Sequence, residues 1–134
     1  MHKLLRSLVF VLGAIGVFAS PAFAEPIAAG AFTNQAQRIS GDWSIEHAAD
    51  GDYLVLSEDF RTRSAPDLKF FLHTRPASQV TARNAAQGVF IGELPRARGA
   101  QRIRLPEGVD VSDFRSLVLH CEQYSVLWGA GDLR

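Results

Sequence analysis

From Ile39 onward the chain never sustains a helical period, and that most constrains what it can fold into. Trp43, Ile45 and His47 alternate with Asp42, Ser44 and Glu46, the period of two that marks a half-buried strand. Asp50-Gly51 is a tight-turn signal, and Tyr53 to Leu56 resumes as a second strand, so the two runs read as a hairpin. Pro66-Asp67 ends a turn-rich corner: the proline ring fixes its own φ and pushes Ala65 out of the helical region. Leu68 to His73, Gly88 to Leu94, Gln101 to Leu105, Arg115 to Cys121 and Ser125 to Trp128 follow as short strands. Pro95, Gly99, Pro106-Glu107-Gly108 and Glu122-Gln123 divide them. Gln79 to Ala86 is the one stretch with room for a turn of helix, although Val80 and Thr81 form helix poorly. Strands at this spacing predict an all-β domain, a small antiparallel β-sandwich or a partly open barrel.

Ahead of this domain lie two segments of different character. Lys3 and Arg6 form a basic start, Leu8 to Phe18 is uncharged and mostly apolar, and Ala22-Phe23-Ala24 offers small residues where a signal peptidase reads. The apolar run is shorter than the roughly 20 residues of a membrane span. Residues 1–24 therefore read as a cleaved signal peptide, and the mature protein is expected at Glu25, periplasmic or secreted and with no membrane span. Residues 25–38 read as a flexible lead-in, with Ala28-Ala29-Gly30-Ala31 small and Thr33-Asn34 turn-forming. Residues 39–134 are left as a single domain.

Composition narrows the function classes. Fourteen Lys and Arg balance fourteen Asp and Glu, and 47% of residues are hydrophobic, which excludes a disordered chain. Without Lys3 and Arg6, twelve basic residues face fourteen acidic ones, so the basic excess of a nucleic-acid binder is missing. Eleven of those twelve are Arg, with Lys69 the only lysine. Scattered along the sequence, they read as solvated surface. One cysteine excludes an intrachain disulfide framework and any zinc site built from several thiolates.

Three blocks carry a resemblance. Leu56-Ser57-Glu58-Asp59-Phe60, Ala65-Pro66-Asp67-Leu68 and Phe71-Leu72 form the first, and Ile91-Gly92-Glu93-Leu94, Gly99, Gln101 and Leu105-Pro106 the second. Phe114, Ser116-Leu117-Val118-Leu119, Cys121, Tyr124-Ser125-Val126, Gly129 and Leu133 close the series. In order and spacing they resemble the DM-thirteen family, the extracellular or periplasmic electron-transfer domain of Skeletor-like proteins, often found beside DOMON domains. The resemblance runs from about Ile39 to the C-terminus. Departures are Ala65 where the family commonly has Gly, His120 where it commonly has Trp before the cysteine, and Trp128 where Phe is usual. The resemblance implies a compact β domain whose cysteine, here Cys121, does redox work as a bare thiol or as a ligand to a prosthetic group such as haem.

Read without the family, Cys121 shares one strand face with Leu117 and Leu119, an apolar and inward one. A buried cysteine of that kind is an inert small hydrophobe. His120 lies on the opposite face with Val118 and Glu122, so it and Cys121 could reach one iron only at a bulge. His47 and His73 are the remaining histidines after cleavage and thus the candidates for a second ligand. There is no Cys-x-x-Cys-His and no Cys-x-x-Cys. Neither Gly-x-Ser-x-Gly, His-Glu-x-x-His nor a P-loop occurs. Asp50, Asp52, Asp110 and Asp113 lack a calcium-loop pattern, no metal site is expected, and Asp59 and Asp67 read as turn-stabilising carboxylates.

Two functions follow. One is an exported redox or electron-transfer accessory carrying Cys121, with an unidentified partner and haem as a candidate cofactor, more a carrier than an enzyme in its own right. The other is a non-catalytic module that binds a protein or glycan and keeps Cys121 in its core.

Overall fold

A computed structural model describes residues 25–134, together with Gly13 and Gly16. The expected signal peptide otherwise lies outside the described residues. Among those described, nine strands form two antiparallel sheets that do not close into a barrel, a β-sandwich. They are β1 (Glu25–Ala31), β2 (Asn34–Gln35), β3 (Asp42–Ala48), β4 (Gly51–Leu56), β5 (Leu68–His73), β6 (Val89–Glu93), β7 (Gln101–Arg104), β8 (Ser116–Cys121) and β9 (Val126–Asp132). The first sheet runs β1-β3-β4-β7, the second β2-β9-β8-β5-β6. Single 3-10 turns occupy Ala77–Gln79, Ala85–Gln87 and Val111–Asp113.

The four-stranded sheet follows its alternation. Trp43 and Ile45 of β3, Leu54 and Leu56 of β4 and Ile103 of β7 are buried against the other sheet, while the residues between them face solvent. Asp50-Gly51 closes the β3–β4 hairpin as expected: Ala48 pairs with Gly51, whose φ of +143° excludes an ordinary side chain.

Residues 25–38 differ from the expected lead-in. β1 pairs with β3 along its length, from Glu25 opposite His47 to Ala31 opposite Asp42, and β2 pairs with β9. Small residues hid the strand, because Ala and Gly carry little strand propensity. They are required by close packing: a Cβ on Gly30 would stand 2.6 Å from the Trp43 ring. β9 likewise runs past Trp128 through Gly129, Ala130 and Gly131. A Cβ on Gly131 would lie 1.9 Å from the carbonyl oxygen of Ala31, so only glycine lets the strands approach there.

The five-stranded sheet is covered twice. Its inner face contributes Leu68, Phe70, Leu72, Ile91, Leu117, Leu119, Cys121 and Trp128 to the main core. On its outer face Phe71, Val118, Leu127 and Ala130 pack under residues 74–88, which supply Ala77, Val80 and Ala85 to a second, smaller core. Asn34 ties this flap down, its amide donating to the carbonyls of Ala77 (3.0 Å) and Val80 (3.1 Å). The amide of Ala77 donates to Asp132 at 2.8 Å. Among the large aromatic side chains, Tyr53 is only partly buried and Phe90 is 46% exposed on the edge strand β6.

Candidate functional site

Cys121 is the last residue of β8, paired with Leu68 on one side and Val126 on the other. It is 1% exposed and belongs to the main core with Leu117 and Leu119, on the face that strand alternation assigns. Immediately beyond it, residues 122–125 form an exposed turn in which Ser125 takes a φ of +51°. That conformation is uncommon for a side-chain-bearing residue. A polar latch holds the turn to the start of β5. The amide of Gln123 donates to Asp67 (2.9 Å), and Lys69 bridges Asp67 (3.2 Å) and Glu122 (2.6 Å). The hydrogen bonds from Lys69 to Glu122 and then Asp67 raise its pKa above the ordinary value. Asp67 is thus a turn-stabilising carboxylate, as its sequence context predicts; Asp59 instead accepts from the Ser57 hydroxyl at 2.6 Å.

A β-bulge does occur beside Cys121, but on the partner strand. Leu119 faces Gly129 and His120 faces Leu127, so Trp128 of β9 is the extra residue. β8 keeps its alternation, and His120 stays on the outer face, 2% exposed, with its ring edge-on to Phe71 at 6.4 Å between centroids. Its Nδ1 has no hydrogen-bond partner. Burial pushes its pKa below the ordinary 6.5, opposed by the charge of Glu122, the backbone of Val126 and the charge of Asp67.

Neither candidate second ligand joins Cys121. His73 lies at the other end of β5, opposite Ser116, about 17 Å of strand away from the Leu68–Cys121 pair. It faces outward, and both ring nitrogens are used: Nδ1 accepts from the amide of Arg75 (3.0 Å) and Nε2 donates to the carbonyl of Asn84 (2.9 Å). His47 is exposed at the far end of the four-stranded sheet, its Nδ1 2.7 Å from Asp52. No described cavity is lined by Cys121. The residues around the thiol therefore do not fit a haem, which needs a cavity of its own and a ligand turned toward it. Among the described residues no group of His, Cys, Asp and Glu is placed to hold a metal ion.

One grouping escaped the sequence reading. Arg38, Arg61, Arg63 and Arg98, dispersed over sixty residues of chain, border a single open groove of about 890 Å³. Only pairing between loops brings them together, and no local spacing signals it.

The architecture defines a class, an antiparallel β-sandwich with one thiol in its core. The family model described as "Electron transfer DM13" matches residues 31–133, and the chain belongs to that family. At family level it is a redox or electron-transfer domain. No match was found among curated proteins or among solved structures.

Proposed function

We propose that the protein is an exported accessory domain of an electron-transfer system in which Cys121 is the redox group, acting as a bare thiol. Family membership supports the redox class. The position of the cysteine carries the rest: the only thiol in the chain is the residue next to an exposed turn latched by Asp67, Lys69 and Glu122. A buried thiol in apolar surroundings is inert, because the thiolate is the reactive form. Release of the 122–125 turn is the shortest route by which Cys121 reaches solvent and a partner, and local opening of this kind requires far less than global unfolding.

A second reading has its own observation. With 1% exposure and a place in the main core, Cys121 is also what a non-catalytic binding module would use to fill space.

Thiol labelling of the native protein decides between them. On the redox reading Cys121 labels without denaturant, and Lys69→Met accelerates the reaction by loosening the turn. Cys121→Ser then abolishes electron exchange while the fold persists. Labelling only at the rate of global unfolding, unchanged by Lys69→Met, overturns the redox role. The substitution by serine should then register chiefly as lost stability, about 1–3 kcal/mol for a buried hydroxyl without a partner. An intact mass beginning at Glu25 is expected of the exported form.

A further inference from the structure

We propose that the groove bordered by Arg38, Arg61, Arg63 and Arg98 binds a multivalent oxyanion, a ligand carrying two or more phosphate, sulfate or carboxylate groups. The site stands apart from Cys121 and does not depend on its role.

The floor of the groove is built from three chain segments. Ser40 and Arg61 exchange backbone hydrogen bonds (2.9 and 3.1 Å), and Arg61 in turn pairs with Arg98. Thr62 is the inward residue between Arg61 and Arg63, and it is buried. Its amide donates to Ala97 (2.9 Å), its hydroxyl donates to the carbonyl of Arg38 (3.2 Å), and it accepts from the Trp128 indole (2.8 Å). With Thr62 pinned inward, alternation turns Arg61 and Arg63 outward together.

This arrangement costs stability as it stands. Arg61 and Arg98 are direct cross-strand partners, which sets their Cβ atoms about 5 Å apart, and like charges directly opposite destabilise a strand pair. Nothing nearby compensates. Among the described residues no arginine makes an ion pair, no acidic side chain lines the groove, and none of the four guanidinium groups donates a hydrogen bond to the protein. Three of the seven other described arginines are engaged: Arg96 donates to Ala100 (2.9 Å), Arg104 donates to Asp50, and Arg102 lies over the Tyr53 ring at 3.9 Å. A chain whose formal charge is zero has thus gathered four unpaired positive charges at one place.

Guanidinium is the side chain suited to planar, two-pronged contact with phosphate, sulfate or carboxylate. Four of them around one groove demand more negative charge than a monovalent anion supplies. No aromatic side chain lines the groove to stack a nucleic-acid base, which leaves charge as the means of recognition.

Calorimetry of the purified protein with tripolyphosphate at low salt tests the site. Saturable binding is expected, weakened at least about tenfold in Arg61→Gln/Arg98→Gln through loss of two charge-assisted contacts. Arg83→Gln, an exposed arginine outside the groove, should bind as the parent does. Oligogalacturonate and vesicles containing phosphatidylglycerol separate the sources of the charge. Competition by oligogalacturonate assigns the site to soluble polyanions in general, whereas binding of tripolyphosphate alone assigns it to phosphate. Binding to vesicles with neither soluble polyanion bound overturns the proposal, as does equal weakening by Arg83→Gln or no binding at all. A ligand-free measurement guards against a misfolded variant. Arg98→Gln should raise Tm at low salt, with the gain disappearing at high salt, and a fall in Tm would overturn the argument from opposed charges.

Discussion

The two sheets of this sandwich solve burial differently. The four-stranded sheet has one wet face, so its strands alternate, as Trp43-Ser44-Ile45-Glu46 does. The five-stranded sheet is dry on both sides at its centre, since the main core covers one face and residues 74–88 the other, and every residue of β8 is buried. A strand buried on both sides loses the polar half of its pattern and reads as a continuous apolar run. It also draws polar residues inside. Ser116 survives because its hydroxyl donates to the carbonyl of Arg75 at 2.7 Å, and His73 because both its nitrogens find backbone partners. His120 keeps an unsatisfied Nδ1. The lesson is that a short flap, far too small to be a layer of its own, changes the chemistry required of a whole strand.

Side-chain truncation is the strongest way to break this contrast. Leu119→Ala, on the inner face, should cost about 2–5 kcal/mol by urea denaturation. Val118→Ala, its neighbour beneath the flap, should cost about 1–3 kcal/mol. Val55→Ala, half-buried on the wet side of the four-stranded sheet, should stay within about 0.5 kcal/mol. If Val118 behaves like Val55, the flap is not a cover and the contrast collapses.

Removing the flap's anchor should cost less than Leu119→Ala and about as much as Val118→Ala. Asn34→Ala deletes two donors to Ala77 and Val80, and about 1–3 kcal/mol should be lost. Hydrogen exchange should accelerate across residues 76–88 and not in β3 or β4. Uniform acceleration over both sheets would show instead that flap and sheet open as one unit.

Acid should produce the gentlest change, and one confined to the dry sheet. Burial depresses the pKa of His120 in the folded protein, so above 6.5 the residue is neutral in both states and its contribution is constant. As pH falls below 6.5 the unfolded chain takes up a proton that the folded chain refuses, and stability declines toward the depressed folded value. His120→Phe should remove this part of the decline. A parent and variant with superimposable stability curves between neutral and mildly acid pH would show that the imidazole is solvated after all.

How far the sequence reveals this molecule follows the same division. Alternation in Trp43 to Glu46 and the turn chemistry of Asp50-Gly51 disclose the wet sheet. The opposed directions of Cys121 and His120 follow from strand geometry alone. β1 and the end of β9 stayed hidden, because Gly30, Gly129 and Gly131 are chosen for close approach and carry no strand signal. That His120 would be covered could not be read either, since the cover comes from a segment more than thirty residues earlier with no regular period. The arginine groove was illegible for a related reason: its members become neighbours only through the Ser40–Arg61–Arg98 pairing.

The strand order of the second sheet has a consequence for how the protein is made. β9, the last strand in chain order, does not sit at an edge but between β2 and β8. Asn34 must wait for Ala130, and Ala29 exchanges backbone hydrogen bonds of 3.0 Å with Arg134. A ribosome that has completed everything through β8 has therefore left β2 without its partner and one side of β8 unpaired. Pairings so distant along the chain close slowly. Completion of the second sheet thus waits for β9 and for pairings that join the two ends of the domain.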